Sequence, residues 1–381
     1  MPGQPAVQAA PSDRADEYFE QLRERYEQAA EATGAAGTLD LEMAGLRLRL
    51  RYASKVLREA LLAPFDHLAR REAGDPALTI SLFDTASTGV EPPHPLWEPI
   101  AAAPGTNPVA RLRSERACVL AAAGSRALTA ALPAEGVAVF HLPDATAIPA
   151  TERAAPIREA LQLLMAARGR LMTHAGAVGS GGRGVLLVGR GGSGKSTLAL
   201  SCALAGMEIV ADDYVLLDPV ALTAHAMQST AKLTEDSAAR LGIAADAIDP
   251  AGFEPTLEGP AKALVDVRTL VPGQMRHQLG IGAVIAPLLT PLTSSSVPRT
   301  ETKDAVSDGC GPLEPLLRPI SAAEALRAVA PSTIVQAGFG GRDSLATLAE
   351  LVRHVPGYAL ELSPNPAANA AAVERLVADL G

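Results

Sequence analysis

The stretch Val185-Leu186-Leu187-Val188-Gly189-Arg190-Gly191-Gly192-Ser193-Gly194-Lys195-Ser196 decides the fold of this chain. Its last eight residues fit Gly-x4-Gly-Lys-Ser/Thr, the pattern of a loop that holds phosphates between a strand and a helix. The four apolar residues before the loop predict a short buried strand, and Leu198-Ala199-Leu200 opens an apolar helical face after it. The motif and its context together predict a strand–loop–helix unit that binds a nucleoside triphosphate.

The loop residues match what a triphosphate requires. Glycines let the backbone form a nest of inward-pointing N–H groups, and the positive end of the next helix adds to the attraction. Lys195 is expected to reach the β- and γ-phosphates, and the Ser196 hydroxyl to hold Mg²⁺. ATP and Mg²⁺ are therefore the predicted cofactors. The predicted nucleotide-binding residues are Gly189, Arg190, Gly191, Gly192, Ser193, Gly194, Lys195, Ser196 and Thr197.

Two adjacent carboxylates follow the next predicted strand. Asp212 and Asp213 come directly after Met207-Glu208-Ile209-Val210-Ala211, one strand–helix–strand unit beyond the loop. The pair and the loop should therefore emerge at the same edge of the sheet. We expect one of these carboxylates to lie near Mg²⁺, directly or through a water molecule, and the other to accept a proton from an attacking hydroxyl. The alternative is a solvated turn before Tyr214.

Three more residues are candidates for the same site. His174 is predicted on a strand beside the loop strand, where it serves either as a catalytic residue or as an ordinary buried histidine. Lys232 and Lys262 are candidates for a second phosphate contact because the chain has only five lysines. Their alternative is an exposed position on the surface. The catalytic residues predicted from the sequence are Asp213, Asp212, Lys195 and His174, and the predicted metal ligands are Ser196 and one aspartate of the acidic pair.

A tight turn before the loop strand constrains the fold class. Gly179-Ser180-Gly181-Gly182 joins Thr173–Val178 to Val185–Val188, and two strands joined by so short a turn must be antiparallel. A conventional nucleotide-binding sheet would instead reach its loop from a parallel neighbour through a crossover helix. The sequence therefore predicts an α/β fold with a mixed sheet.

Composition excludes several classes of function. The formal net charge of −9 argues against a broad nucleic-acid surface, and aromatic residues at 3% leave little material for base stacking. No apolar run has the length of a membrane span, and the N-terminus lacks the pattern of a secretion signal. Three scattered cysteines form neither a disulfide framework nor a metal site. We expect a cytoplasmic protein that binds neither nucleic acid nor membrane, and the sequence leaves a homo-oligomer open.

The 381 residues divide into three predicted parts, the last of which contains an insertion. Residues 1–15 are predicted to be a disordered leader, 16–150 a small α+β domain, and 151–381 the catalytic domain with a mobile insertion near 288–315. Hydrophobic periodicity predicts helices and strands within these parts. The predicted helices are 16–32, 54–73, 157–168, 322–329, 344–354 and 368–380, and the predicted strands of the small domain are 39–50, 78–83, 118–120 and 137–140.

The motifs described above resemble the HPr kinase/phosphorylase-like proteins, including the stand-alone serine kinases of lasso-peptide clusters. The resemblance lies in His174–Val178, Gly189–Leu198 and Gly206–Val215. It implies a fold like that of phosphoenolpyruvate carboxykinase, with Lys195 binding phosphate, Ser196 holding Mg²⁺, Asp213 as base and Asp212 supporting the metal. His174 matches the family's histidine before the loop. Beyond the acidic pair, the family carries a glycine- and arginine-rich signature that it uses in phosphorolysis. This sequence lacks that signature and has only a loose counterpart in Gly259-Pro260-Ala261-Lys262, so phosphorolysis and the HPr substrate are not expected.

The leading hypothesis from the sequence is an ATP-dependent kinase that phosphorylates a hydroxyl, with a serine of a small protein or peptide as acceptor. A kinase for a small metabolite is a second hypothesis. The third is a nucleotide-binding regulator with weak ATPase activity, which would not need the doubled aspartate. Residues 1–150 could bind the acceptor, although they carry no chemical motif of their own.

Overall fold

The computed structural model describes residues 13–71, 74–98, 109–256, 259–289, 314–337 and 341–380. Within these ranges the strands form a seven-stranded sheet, a nine-stranded sheet and a two-stranded ribbon. Both large sheets contain parallel and antiparallel pairs, so the predicted mixed α/β fold class is confirmed. No helix in the described ranges is long and apolar enough to cross a membrane.

The first sheet has the strand order β1-β2-β3-β7-β6-β5-β4. Its central strands β2, β3 and β7 are parallel to one another, and the remaining pairs are antiparallel. These strands are β1 (Gly37–Met43), β2 (Leu46–Tyr52), β3 (Leu78–Asp84), β4 (Val109–Arg113), β5 (Cys118–Ala122), β6 (Leu128–Leu132) and β7 (Val137–Leu142). Helix α1 (Asp13–Thr33) covers one face, where Tyr18, Phe19 and Leu22 are buried against the sheet.

Short helices connect the first sheet to the rest of the chain. After β2 come α2 (Lys55–Leu57), a π-turn (Arg58–Leu62) and a 3₁₀ segment (Ala63–Leu68), and α3 (Thr85–Thr88) follows β3. Beyond β7, the chain forms α4 (Ala150–Ala154) and α5 (Arg158–Ala166). The largest cluster of buried apolar side chains runs without interruption from the first sheet through α5 into the second sheet, with Phe65, Ile80, Leu161 and Leu186 among its members.

The second sheet follows the path β11-β9-β10-β16-β13-β12-β8, and β18 and β17 extend it from β16. Its strands are β8 (Leu171–Thr173), β9 (Gly176–Ser180), β10 (Arg183–Leu187), β11 (Glu208–Ala211), β12 (Val215–Asp218), β13 (Thr223–His225), β16 (Gln278–Leu288), β17 (Leu316–Ile320) and β18 (Gly357–Glu361). Strands β8 and β9 stand five places apart on this path, yet Thr173 and Gly176 are separated by only two residues. The sheet therefore curves until it nearly closes on itself.

The remaining elements pack against this curved sheet. Helices α6 and α11 cover its outer face, where Leu198, Leu200 and Val373 are buried. The two-stranded ribbon pairs β14 with β15. These elements are α6 (Lys195–Leu204), β14 (Thr230–Thr234), α7 (Glu235–Arg240), a 3₁₀ turn (Ala245–Ala247), β15 (Lys262–Asp266), α8 (Val267–Leu270), α9 (Ala322–Ala337), α10 (Gly341–His354) and α11 (Pro366–Asp379).

Two predictions for the first part of the chain were wrong in detail. The single strand at 39–50 is the hairpin β1–β2, because Ala44 and Gly45 adopt positive φ angles of 52° and 75° and reverse the chain. The helix at 54–73 is a succession of short helical turns, because Pro64 interrupts the regular hydrogen-bond pattern.

The predicted leader and insertion lie mostly outside the described residues, which omit 1–12 and 290–313. Residues 13–15 belong to α1, and Ala15 is fully buried there, so the leader prediction was wrong for these three residues. The division into two domains at residue 150 stays a prediction. The helices predicted at 16–32, 157–168, 322–329, 344–354 and 368–380 are confirmed, with ends that shift by up to eight residues.

Candidate active site

The glycine-rich loop joins β10 to α6, as its sequence predicts. Gly189, Gly192 and Gly194 have φ angles of 146°, 78° and 93°, which residues with a side chain rarely adopt. A Cβ at Gly194 would lie 2.6 Å from the Leu362 Cδ1 atom, so the end of that leucine side chain would have to shift. The loop therefore depends on glycine chiefly for its backbone conformation.

Lys195 folds back into this loop. Its Nζ donates hydrogen bonds to the carbonyl oxygens of Gly189 at 2.7 Å and Arg190 at 3.1 Å. Burial lowers the pKa of Lys195 to about 8, and the charges of Asp213 and Asp212 only partly offset this effect. A largely buried ammonium at the mouth of a loop of backbone N–H groups suits an anionic ligand.

The other predicted loop residues differ in where they point. Arg190 is exposed, and Ser193 is partly buried with a hydroxyl that has no hydrogen-bond partner among the residues that the structure describes. Thr197 turns away from the loop, since its hydroxyl contacts the Ser237 hydroxyl on α7 at 2.9 Å. The Ser196 hydroxyl acts to lower the pKa of Asp212, so this side chain lies near the acidic pair.

The acidic pair follows β11, at the edge of the sheet where the loop also lies. Strands β10 and β11 each pair antiparallel with β9, which lies between them, so they run in the same direction and end at the same edge. Asp212 is 1% exposed, and its Oδ2 accepts a hydrogen bond from the Lys232 backbone N at 3.2 Å. Its Oδ1 has no partner among the described residues. Burial, and then the charge of Asp213, raise the pKa of Asp212 to about 7.

Asp213 is held from two sides. Its Oδ1 lies 2.9 Å from His174 Nε2, and its Oδ2 lies 2.7 Å from Lys232 Nζ. Burial acts to raise the pKa of Asp213, but the charge of Lys232 and the hydrogen bond from His174 outweigh it and hold that pKa well below its usual range. Asp213 is therefore a buried, ionised carboxylate in a fixed orientation.

His174 is buried beside Asp213, but its predicted position on a strand was wrong. It lies in the two-residue connection between β8 and β9, because the sheet closes there and its backbone N bonds the Thr333 hydroxyl at 3.3 Å. Burial lowers the pKa of His174, so its ring is neutral and its Nε2 donates to Asp213. The ring also lies 5.3 Å from that of Tyr214. The connection brings His174 to the acidic pair because β9 begins at the edge where β10 and β11 end.

Both candidate lysines come from the ribbon. In the register of β14 and β15, Thr234 lies opposite Lys262, so Lys232 and Lys262 project from the same face. Burial acts to lower the pKa of Lys232, but the charge of Asp213 outweighs it and the pKa is raised. Burial and then the charge of Lys232 lower the pKa of Lys262. Sequence analysis could only single out these lysines by their scarcity, since no local motif predicts the contact of Lys232 with Asp213.

The residues near the loop fit a magnesium ion carried by a nucleotide. Asp212 Oδ1 is a buried carboxylate oxygen without a partner, and the Ser196 hydroxyl lies against the same carboxylate. Mg²⁺ prefers oxygen ligands and commonly binds through one or two protein groups together with phosphates. In the described part of the chain, no cluster of three or more His, Cys, Asp or Glu could hold a metal by itself.

Comparison with known proteins gives little beyond this geometry. No family model matches the sequence, and no curated protein matches it. Among solved structures, the chain is similar to the HPr(Ser) kinase/phosphatase from Coxiella burnetii, with 16% sequence identity and a TM-score of 0.27 over 55% of this chain and 88% of that chain. A likeness this distant carries no argument about activity, so function has to be inferred from the side chains of this chain.

Proposed function

We propose that this protein is an ATP-dependent kinase that transfers the γ-phosphoryl group to a hydroxyl, with a serine of a peptide or small protein as the acceptor. The observation that carries the proposal is the placement of Asp213. An ionised carboxylate, oriented by His174 and Lys232, lies at the same sheet edge as a glycine-rich phosphate loop. A protein that only bound nucleotide would have no use for such a proton acceptor.

Each side chain of the site has a separate role in the proposed phosphoryl transfer. The loop N–H groups and Lys195 hold the phosphates, and Lys195 and Lys232 place positive charge where negative charge accumulates. Ser196 and Asp212 would hold Mg²⁺, which supplies further neutralisation of the phosphate oxygens. Asp213 accepts the proton of the attacking hydroxyl. Its low pKa makes it a weak base, which is sufficient because a loose phosphoryl-transfer transition state needs positioning and charge neutralisation most of all.

The proposal is tested by separating binding from transfer. Wild type, Lys195→Ala and Asp213→Asn are incubated with γ-labelled ATP and a library of serine-containing peptides, and ATP binding is measured in parallel by calorimetry. We expect Lys195→Ala to lose ATP binding, and Asp213→Asn to bind ATP while transfer falls by about 10²–10⁴-fold. Asp246→Asn, a change at an exposed aspartate, is the matched control and should transfer as wild type does.

Each other result has a clear meaning. Full transfer by Asp213→Asn would show that the base is wrongly assigned. Labelling of free serine or another small hydroxyl compound, but of no peptide, would favour a metabolite kinase. Tight ATP binding with no labelled acceptor of either kind would favour a regulator.

A further inference from the structure

Two adjoining cavities lie away from the phosphate loop, at the carboxyl ends of the parallel strands β3 and β7. The inner cavity, of about 240 Å³, is lined by residues that include Phe140, Glu152 and Ile157. The outer cavity, of about 730 Å³, is lined by residues that include Tyr18 and Trp97. Arg126 and Pro143 line both cavities, so the two adjoin at these residues. Ligands of parallel sheets bind at the carboxyl ends of the strands, where these cavities lie.

Arg126 supplies a free positive charge at the junction. Its side chain is exposed, and it has no hydrogen bond or ion pair with any residue that the structure describes. The neighbouring Asp144 carboxylate is engaged by the backbone N and the hydroxyl of Thr146, at 2.8 Å and 2.7 Å. Arg126 also has a φ of 56°, a left-handed conformation that is strained for a residue with a side chain. A free guanidinium pairs readily with a carboxylate through two parallel hydrogen bonds.

The outer cavity is apolar with a few fixed polar groups. The rings of Tyr18 and Trp97 lie 5.4 Å apart, and the Tyr18 hydroxyl is bonded to the Pro93 carbonyl oxygen at 3.1 Å. His141 is 3% exposed; its Nε2 lies 3.0 Å from the Thr85 hydroxyl, and its Nδ1 has no partner among the described residues. An aromatic wall with a few convergent polar groups, in a volume of roughly 300–1,000 Å³, is typical of a ligand site.

The inner cavity is linked to the proposed active site through α4 and the ribbon that carries Lys232. Glu152, which lines it, belongs to α4, and α4 is tied to the ribbon because the Thr230 hydroxyl donates to the Ala154 carbonyl oxygen at 2.6 Å. Burial, and then the charge of Glu159, raise the pKa of Glu152, whereas the charges of Arg158 and Lys232 act to lower it. Glu152 is therefore within electrostatic range of the lysine that contacts Asp213.

We propose that the two cavities are the acceptor site of the proposed kinase, and that they receive a peptide segment with an apolar or aromatic side chain against Trp97 and a carboxylate against Arg126. This inference rests on the proposed function. The volume of the outer cavity suits a segment of several residues better than a single amino acid, and the inner cavity is lined by α4, which is bonded to the ribbon that carries Lys232.

Positional-scanning libraries of acetylated pentapeptides with a central serine test the inference, with labelled ATP as the donor. We expect wild type to select an acidic residue at one fixed position and an aromatic or large aliphatic residue at another. Arg126→Gln should reduce the acidic selection at least tenfold, and Trp97→Ala the aromatic selection. Arg113→Gln, which changes an exposed arginine of β4 outside both cavities, is the matched control and should keep both preferences.

The results separate this inference from the proposed function. Peptides phosphorylated with unchanged selection by both Arg126→Gln and Trp97→Ala would overturn the acceptor site and leave the kinase intact. If no peptide is labelled, peptide binding is measured separately by titrating the protein with the same libraries. The signal is the fluorescence of Trp97, the only tryptophan in the sequence. A change in emission that is lost in Arg126→Gln would support peptide binding by the cavities without kinase activity. An unchanged emission would overturn the inference.

Discussion

Replacing Lys232 by methionine should destabilise the protein through the carboxylate that it leaves behind. Lys232 Nζ lies 2.7 Å from Asp213 Oδ2, and the two side chains are 17% and 9% exposed. Both charges are largely removed from water, so the pair belongs with buried ion pairs, whose disruption costs about 3–5 kcal/mol, and not with exposed ones. The hydrogen bond from His174 remains, so we expect the lower value, about 3 kcal/mol of unfolding free energy.

Lys232→Met should also reverse the way in which the contribution of Asp213 to folding stability depends on pH. With Lys232 present, the folded-state pKa of Asp213 is lowered, so this group's contribution to stability is present above the unfolded pKa of 3.8 and is lost as pH falls through the folded value. Without Lys232, we expect burial to outweigh the remaining hydrogen bond from His174 and to raise the folded-state pKa of Asp213 above 3.8, so that stability is lost as pH rises. The variant should therefore be closer to wild type at pH 5 than at pH 7.5.

Urea unfolding, followed by circular dichroism at both pH values, measures these effects. Lys55→Met, at an exposed lysine, is the control and should stay within about 0.5 kcal/mol of wild type. The double variant Lys232→Met/Asp213→Asn removes both charges and should recover most of the lost stability, because no unpaired ion remains. The reasoning is refuted if Lys232→Met unfolds at the same urea concentration as Lys55→Met, or if the double variant is no more stable than the single one.

Three further predictions follow from the loop, the acidic pair and a buried histidine. Asp212→Asn should weaken Mg²⁺ affinity in the presence of ATP by about 10–100-fold, measured by titrating Mg²⁺ in the transfer assay, while metal-free ATP binding is unchanged. Gly194→Ala should abolish ATP binding and lower the unfolding free energy by about 1–3 kcal/mol, because a φ of 93° in the phosphate loop is strained for alanine and the Leu362 Cδ1 atom would have to move away from the new Cβ; Gly181→Ala, with a φ of 58° and open space outside the loop, should keep binding. Burial lowers the pKa of His141 to about 4, so the folded state binds fewer protons than the unfolded one, and stability should be lost as pH falls from 6.5 to 4. The contribution of His141 to this loss reaches about 3 kcal/mol. The loss should therefore be smaller by that amount in His141→Gln, where His67, whose pKa burial also lowers to about 4, still contributes, and it should be unchanged in His94→Gln, measured by urea midpoints across that range.

Local sequence patterns predicted the parts of the fold that local chemistry determines. The phosphate loop, the antiparallel hairpin before it and the strand that delivers Asp212 and Asp213 are all present, because each depends on glycines and apolar runs within about 30 residues. His174 was assigned to a strand because nothing in the sequence shows that the curved sheet closes at that residue.

The partners of Asp213 could not be predicted in the same way. Lys232 reaches it through the register of β14 with β15, two strands that are separated by 27 residues of irregular chain and short helices. The sequence did not predict the cavities beside Arg126 either, because their lining comes from α1, β5, β6 and β7, which are brought together only by the folded first sheet. Hydrophobic periodicity shows which face of an element is buried, but it does not show which distant element covers that face.

The position of β9 between β10 and β11 limits how substitutions could adapt the proposed kinase to a different acceptor. Neighbouring strands lie about 4.8 Å apart, so the loop and the acidic pair are separated by two strand spacings, about 10 Å. Backbone hydrogen bonds between β9 and β11 set this distance. The two strands are also closely packed at Gly176, since a Cβ there would lie 3.2 Å from the Ala211 carbonyl oxygen. Exchanging side chains cannot widen that gap to admit a bulkier acceptor. New acceptors would have to be accommodated on the side of α4 and the first sheet, where loops can lengthen without disturbing the chemistry.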